Sequence, residues 1–391
     1  MTNSSIYLVE AGNFINYPKG GQLTFCCQLI QAFPEDTFKL IGITTDPLDK
    51  IGEWQKKEIQ GKSVDFFPVR YSNGAIKPSI VPNRASFLIA LWRYKSNIFT
   101  DCLSYLLTNA PESLMLFAGR QDFKILHFLH GVENPLDNSR FWWASAIKKS
   151  LWIRYLSSVS KADYIAAAAD SKNITRFKEL YNINKQIEKF PTRFDDQVFN
   201  PPKELKTGIP SFVFTGRLSL VKDIKFLLLS FKSYLEKFGD ARLLIIGDGE
   251  LRKDLEKYTD ELKISSHVRF AGFLEKQDIA KALNSAHVFL LTSKIEGWPT
   301  ALVEAMACGL PAVSTNVSGV SDMITNGING FVVDQRDPDI FSEHMFLALA
   351  LEPVNSESIR TVKNYKLSQI PQSMASIFPD FFAHTLDAKN V

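Results

Sequence analysis

The chain is 391 residues long and carries 45 Lys+Arg against 42 Asp+Glu, a formal net charge of +3. That length is generous for one core and comfortable for two domains, and a charge so near balance carries no footprint of nucleic-acid binding. No apolar run, F-L-I-A-L-W at 87–92 included, approaches the ~20 residues that span a bilayer. The start M-T-N-S-S-I-Y-L-V-E has neither a basic leader nor a long apolar stretch, so no signal peptide and a cytoplasmic location are expected. Four cysteines, Cys26, Cys27, Cys102 and Cys308, lack CxxC spacing and a disulfide framework. They fit a reducing compartment and read as packing residues.

In chain order, the first half reads as an α/β unit with strands near 6–10, 38–44, 125–129 and 163–168. N-Y-P-K-G-G-Q at 16–22 precedes a helix that begins near Leu23. Its paired Gly20 and Gly21 let backbone N–H groups approach an anion closely, and Lys19 adds charge. A helix-like stretch covers 85–107. In H-F-L-H-G at 127–131, His127 lies inside an apolar strand and reads as core, whereas His130 stands at the strand end before Gly131. The run S-R-F-W-W-A-S-A-I-K-K-S-L-W-I-R-Y-L at 139–156 mixes Trp with Lys and Arg. At a helical period its apolar residues surround the axis, so burial is expected, with an exposed end available to lipid head groups. D-D-Q-V-F-N-P-P-K-E-L-K-T-G-I-P at 195–210, rich in Pro and charge, reads as a domain boundary.

Beyond the boundary, S-F-V-F-T, a helix near 224–238, A-R-L-L-I-I, a helix near 250–262, H-V-R-F-A, a helix near 276–284 and H-V-F-L-L-T alternate. That alternation predicts a parallel sheet with helices on both faces. Ligands bind such sheets at the carboxyl ends of the strands, where Gly216, Gly247, Gly272 and Glu296 fall. G-D-G-E-L-R at 247–252 has Arg where a dinucleotide fingerprint needs its third Gly, which argues against a nicotinamide enzyme. D-P-D at 337–339 matches a metal-binding string, but ahead of a helix an Asp serves as an N-cap, and no metal is expected. After about 356 the chain turns polar and then amphipathic.

The most informative stretch is K-I-E-G-W-P-T-A-L-V-E-A-M-A-C-G-L-P at 294–311, in which seven residues separate Glu296 from Glu304. Pro is tolerated in the first turn of a helix and Gly just past its end, so the helix is predicted from about Pro299 to Cys308. Glu296 then lies in the preceding loop and Glu304 one to two turns inside. Free N–H groups near Thr300 and Ala301, with the positive end of the dipole, suit a phosphate. The two carboxylates can accept hydrogen bonds from hydroxyls on either side of it, as a nucleotide sugar requires. Arg217 and Lys222, in G-R-L-S-L-V-K, place two cations after another strand, where they stabilise charge growing on a departing diphosphate.

This segment resembles the Glu, seven residues, Glu signature of the retaining GT-B glycosyltransferases of glycosyltransferase family 4. The similarity continues through F-T-G-R-L-S-L-V-K (214–222), L-L-I-I-G-D-G-E-L (243–251), V-R-F-A-G-F-L (268–274), P-A-V-S-T-N-V-S-G-V (311–320) and N-G-I-N-G-F-V-V (326–333), in the family's order. The blocks cover roughly 205–335, about a third of the chain. The resemblance implies two Rossmann-like α/β domains facing across a cleft. Residues 1–195 would bind the acceptor, 205–355 the nucleotide-sugar donor, and 356–391 would be a helical segment packing back on the first domain. It also implies that Arg217 and Lys222 hold the donor diphosphate in place of a metal and that Glu304 binds the ribose hydroxyls. Glu296 would touch the donor sugar together with the Gly297 and Trp298 backbone. His130 would contact the transferred sugar, and the Gly20–Gly21 loop would face the donor phosphates or the acceptor.

The implied activity is retaining transfer of a hexose or N-acetylhexosamine from a nucleotide-diphosphate sugar to a hydroxyl, without cofactor or metal. The implied acceptor is a glycan or lipid-linked sugar in cell-surface polysaccharide synthesis, reached through peripheral contact with the inner face of a membrane. A donor-binding subunit without activity would be expected to lose Glu296, Arg217 or Lys222, and all three are present; a GT-B isomerase is the other alternative. Two segments depart from the family. Asp223 follows Lys222 where the family often has Gly, and Thr192 and Arg193 stand where its linker carries Asn and Gly.

Overall fold

The structure is a computed structural model that describes residues 6–17, 21–73, 83–100, 103–130, 144–202, 208–352 and 354–386. The chain divides into two compact units, Met1–Pro191 with Gln369–Val391, and Thr192–Ser368.

In the first unit β1 (Ile6–Val9), α1 (Gly21–Ala32), β2 (Phe38–Thr44), β3 (Gln55–Ile59), β4 (Lys62–Tyr71), α2 (Asn83–Ile98), β5 (Ser104–Thr108), α3 (Pro111–Phe117), β6 (Phe123–Leu129), α4 (Ala144–Lys161), β7 (Tyr164–Ala167), α5 (Ser171–Tyr181) and β8 (Glu188–Lys189) follow one another. They build a mixed sheet in the order β3-β4-β2-β1-β5-β6-β7-β8. β3 pairs antiparallel with β4, and the remaining pairs are parallel. The central strand β1 is I-Y-L-V with every residue buried, the unbroken apolar run of a parallel strand covered on both faces.

One local expectation is corrected here. The helix expected over 85–107 stops at Ile98, and Ser104–Thr108 is a strand between β1 and β6. Leu106 and Leu107 are both fully buried there, so sheet pairing on two faces overrides the helical pattern. The β3–β4 hairpin has no counterpart in the sequence reading; its turn residues Gln60 and Gly61 both take left-handed φ, 55° and 72°, as tight hairpins require.

The second unit runs β9 (Ser211–Thr215), α6 (Ile224–Phe238), β10 (Arg242–Ile246), α7 (Arg252–Glu261), β11 (Val268–Gly272), α8 (Lys276–Ser285), β12 (Val288–Leu291), α9 (Thr300–Ala307), β13 (Ala312–Thr315), β14 (Gly330–Val333), α10 (Pro338–Ala348) and α11 (Ser356–Val362). Its sheet, in the order β11-β10-β9-β12-β13-β14, is parallel throughout. α6 turns Leu227, Leu228, Phe231 and Tyr234 inward onto Phe212, Leu243 and Ile245 and ends at Gly239, whose φ is 97°. Asp337 caps α10 by accepting from the Asp339 and Ile340 N–H groups at 2.8 and 3.2 Å.

The division between units lies at Pro191 and Ser368 rather than at 195–210 and 356. Phe194 already belongs to the second unit, donating its N–H to Tyr365 O and accepting from Leu367 N–H. α11 belongs there too, through Ser358 Oγ donating to Leu310 O at 3.0 Å.

Two last helices, α12 (Ile370–Ile377) and α13 (Pro379–Leu386), complete the first unit. Phe382 packs against Phe33 at 5.1 Å between ring centroids, Phe381 against Tyr105 at 5.1 Å and Phe378 against Phe128 at 6.5 Å. Fully burying each Phe contributes about 1.5–3 kcal/mol. Asp380 adds an ion pair with Lys124 and a hydrogen bond from Tyr164, both at 2.6 Å, which hold its carboxyl below the usual range. No helix among the described residues is long and apolar enough to cross a membrane.

Candidate functional site

The carboxyl edge of the second sheet gathers the residues singled out in the sequence. Lys222 Nζ lies 2.5 Å from Glu296 Oε1, and Ser293 Oγ donates to the same oxygen at 2.5 Å. The pair is tied down by backbone on both sides. Thr292 Oγ1 donates to Lys222 O at 3.0 Å and Lys294 N–H to Val221 O at 2.7 Å. Asp223, in the position where the resembled family often has Gly, adopts the left-handed conformation a Gly would take, φ 47° and ψ 52°. Its carboxylate is held by Arg336 at 2.7 Å and Lys294 at 3.5 Å. Arg336 also donates to Thr292 O and Ser293 O, so one guanidinium joins the Lys222 loop to the Glu296 loop.

Arg217 follows β9 and is exposed, with no side-chain partner among the described residues. Beside it the backbone is closely packed: a Cβ on Gly247, whose φ is 129°, would lie 1.9 Å from Gly216 O. Only a glycine fits that approach.

α9 begins at Thr300, one residue later than expected. It buries Leu302, Val303, Ala305, Met306 and Ala307 and leaves Thr300, Ala301 and Glu304 half-buried. These three share one helical face. The Thr300 N–H is not free, as the sequence reading had it, because it donates to Trp298 O at 3.0 Å. Ala301 N–H keeps no partner among the described residues. Burial pushes the Glu304 carboxyl up to about 7; Lys276 pulls it down and Asp195 pushes it up further. Gly297 O accepts from Ser318 Oγ at 3.0 Å, and Trp298 is buried edge-on against Tyr365.

Of the residues singled out in the first unit, Lys19 and Gly20 lie outside the described residues. Gly21 opens α1 and is exposed. His130 follows β6 with its ring edge-on to Phe25 at 5.5 Å; burial, then Arg84, lowers its pKa to about 4. His127 is core, with Nδ1 2.8 Å from Thr108 Oγ1 and Nε2 3.0 Å from Tyr155 Oη. In the 139–156 run, Tyr155 is buried, Trp152 is half-buried against it at 5.3 Å, and Ile153 is exposed. Residues 139–143 lie outside the described set.

Residues 196–365 match the family of glycosyl transferases group 1. The chain is 29% identical over 235 residues to the UDP-Gal:alpha-D-GlcNAc-diphosphoundecaprenol alpha-1,3-galactosyltransferase of Escherichia coli, a match covering 56% of this chain and 58% of that one. It is 37% identical over 279 residues to an uncharacterized glycosyltransferase of Methanocaldococcus jannaschii, covering 67% of this chain and 66% of the other. The chain thus spans little more than half the length of the first of these relatives. Among solved structures, sucrose-phosphate synthase from Thermosynechococcus elongatus superposes with a TM-score of 0.75 at 17% identity, covering 97% of this chain and 100% of that one. That likeness carries the fold, and both units have the Rossmann-like α/β architecture of GT-B proteins.

Proposed function

We propose, on the premise that residues 196–365 are a glycosyl transferases group 1 region within a GT-B fold, that the chain is a retaining glycosyltransferase. It moves a hexose or N-acetylhexosamine from a nucleotide-diphosphate sugar to a hydroxyl of a glycan or lipid-linked sugar in cell-surface polysaccharide synthesis. The observation that supports this best is the Lys222–Glu296–Ser293 cluster beside α9. A cation and a carboxylate at one strand edge match a substrate with a diphosphate next to sugar hydroxyls.

In this reading Lys222 and Arg217 neutralise the diphosphate as it departs, with no metal required. Glu296 accepts from hydroxyls of the donor sugar, and Glu304 accepts from the ribose. The bond from the anomeric carbon to the phosphate oxygen breaks while the acceptor oxygen bonds to that carbon on the same face. The acceptor proton passes to the departing phosphate oxygen, so no enzyme nucleophile is consumed.

The test is a thermal-shift and product screen of the purified chain against UDP-, GDP-, ADP- and dTDP-sugars, with and without EDTA. Stabilisation by a nucleotide sugar, with transfer or slow hydrolysis that survives EDTA and keeps the anomeric configuration, is expected. Strict dependence on a divalent ion, or an inverted product, would end this mechanism.

A further inference from the structure

Arg336 lies between β14 and α10, outside every string that the sequence singled out. Its guanidinium meets two separate loops of the second unit. On the loop between β9 and α6 it pairs with Asp223 Oδ2 at 2.7 Å. On the loop between β12 and α9 it donates to Thr292 O at 2.9 Å and Ser293 O at 3.2 Å. Each contact stands beside a residue already placed in the site. Asp223 adjoins Lys222, and Ser293 is the residue whose Oγ donates to Glu296. Phe226, in the first turn of α6, has its ring centroid 4.9 Å from the guanidinium carbon and packs against the fork.

Neither loop alone sets the distance between Lys222 and Glu296. A lysine ammonium is a point charge on a flexible stem, so its place depends on the backbone beneath it. Two direct bonds join the loops, from Thr292 Oγ1 to Lys222 O and from Lys294 N–H to Val221 O. Both act ahead of Asp223, whereas Arg336 makes its tie at Asp223 itself, where the chain enters α6. The backbone there is informative. Asp223 has a φ of 47°, a conformation that Gly takes without steric cost. A Gly would keep the turn and remove the acceptor. A carboxylate on a strained turn, held by a guanidinium from another loop, marks a contact that the turn alone does not require.

We propose that Arg336 is a positioning residue for sugar transfer: by tying Asp223 to Thr292 and Ser293 it holds the Lys222 ammonium and the Glu296 carboxylate at the separation of a donor diphosphate and its sugar. The proposal rests on the glycosyltransferase reading above. A misplacement of about 1 Å at such a site costs about 10²-fold in rate. The loss falls on kcat, because Lys222 meets its full complement of charge only as the diphosphate departs.

Steady-state kinetics with a nucleotide sugar, run well below the melting temperature of each variant, test this together with amide hydrogen exchange. Arg336→Met is expected to lower kcat at least tenfold, to leave KM for the nucleotide sugar within threefold, and to speed exchange in both 220–223 and 292–296. Asp223→Gly, which keeps the turn, should lower kcat at least fivefold. The double variant should fall no more than twofold below Arg336→Met, because both substitutions break the same tie. Arg336→Lys keeps the charge without the fork and should stay at least fivefold below wild type. A kcat within twofold of wild type in Arg336→Met or Asp223→Gly overturns the proposal, as does full recovery by Arg336→Lys. A double variant whose loss is the product of the single losses overturns it too, as does unchanged exchange in either loop. Faster exchange in both loops, in a chain that turns over no nucleotide sugar, upholds the tie and sinks the transferase reading instead.

Discussion

Lys222 and Glu296 satisfy each other at 2.5 Å, so each can be removed with a specific expectation. Lys222→Met should lower transfer by roughly 10²–10³-fold, the scale of losing one preorganised electrostatic contact to developing charge, while the melting temperature moves little. Steady-state rates beside a thermal melt check this, and a rate within threefold of wild type would remove Lys222 from the site. Glu304 gives a pH test. Its carboxyl is raised to about 7, so the stability it confers is fully present below its ordinary value near 4.5 and is lost as pH rises to about 7. Ribose hydroxyls favour the ionised form, so nucleotide affinity should increase as pH rises through 7, with proton release on binding. Titrations in buffers of different ionisation enthalpy measure that release, and Glu304→Gln should abolish it. Glu296, Glu304, Arg217 and Lys222 were legible in the sequence because each sits in a spaced string with a chemical meaning. Ser293 and Arg336 were not. Neither sits in a spaced string, and only the folded loops after β12 and β14 bring them to Glu296 and Asp223.

Among the elements, the loop between β9 and α6 is the most exacting. Asp223 sits in the left-handed region, which disfavours a side chain by about 1–2 kcal/mol. Its ion pairs with Arg336 and Lys294 return about 0–1 kcal/mol. Asp223→Gly sheds both strain and pairs and should be within about 1 kcal/mol of wild type, whereas Asp223→Ala keeps the strain, loses the pairs and should be about 1–2 kcal/mol less stable than Asp223→Gly. Arg336→Ala takes a donor from the buried Thr292 carbonyl and should cost about 1–3 kcal/mol. Denaturant melts rank the three, and Asp223→Ala as stable as Asp223→Gly would refute the strain argument. The alternation of β9 to β12 with their helices was readable because each strand is a short apolar run and each helix has one apolar face. β5 was not, because S-Y-L-L-T has no period of its own and takes its conformation from its neighbours.

For the whole molecule, the consequential feature is the return of α12 and α13 to the first unit. Phe382→Ala removes a fully buried ring between Phe33 and Phe38 and should cost about 3–5 kcal/mol, seen as an early unfolding transition that nucleotide leaves unmoved. Ending the chain at Ser368 should expose Phe33, Phe128 and Phe190 and abolish that transition, while the nucleotide-responsive one persists. A single unaltered transition would contradict this division. Because the first unit takes residues from either side of the second, vectorial synthesis cannot complete it until Phe382 has emerged. The nascent amino-terminal half leaves the ribosome with an aromatic surface still waiting for its cover, while the middle of the chain already has all it needs to fold. Holding factors should therefore engage residues 1–191 until the segment from Gln369 to Phe382 is made, and a stall ahead of that segment should leave the first unit's aromatic surface open to aggregation.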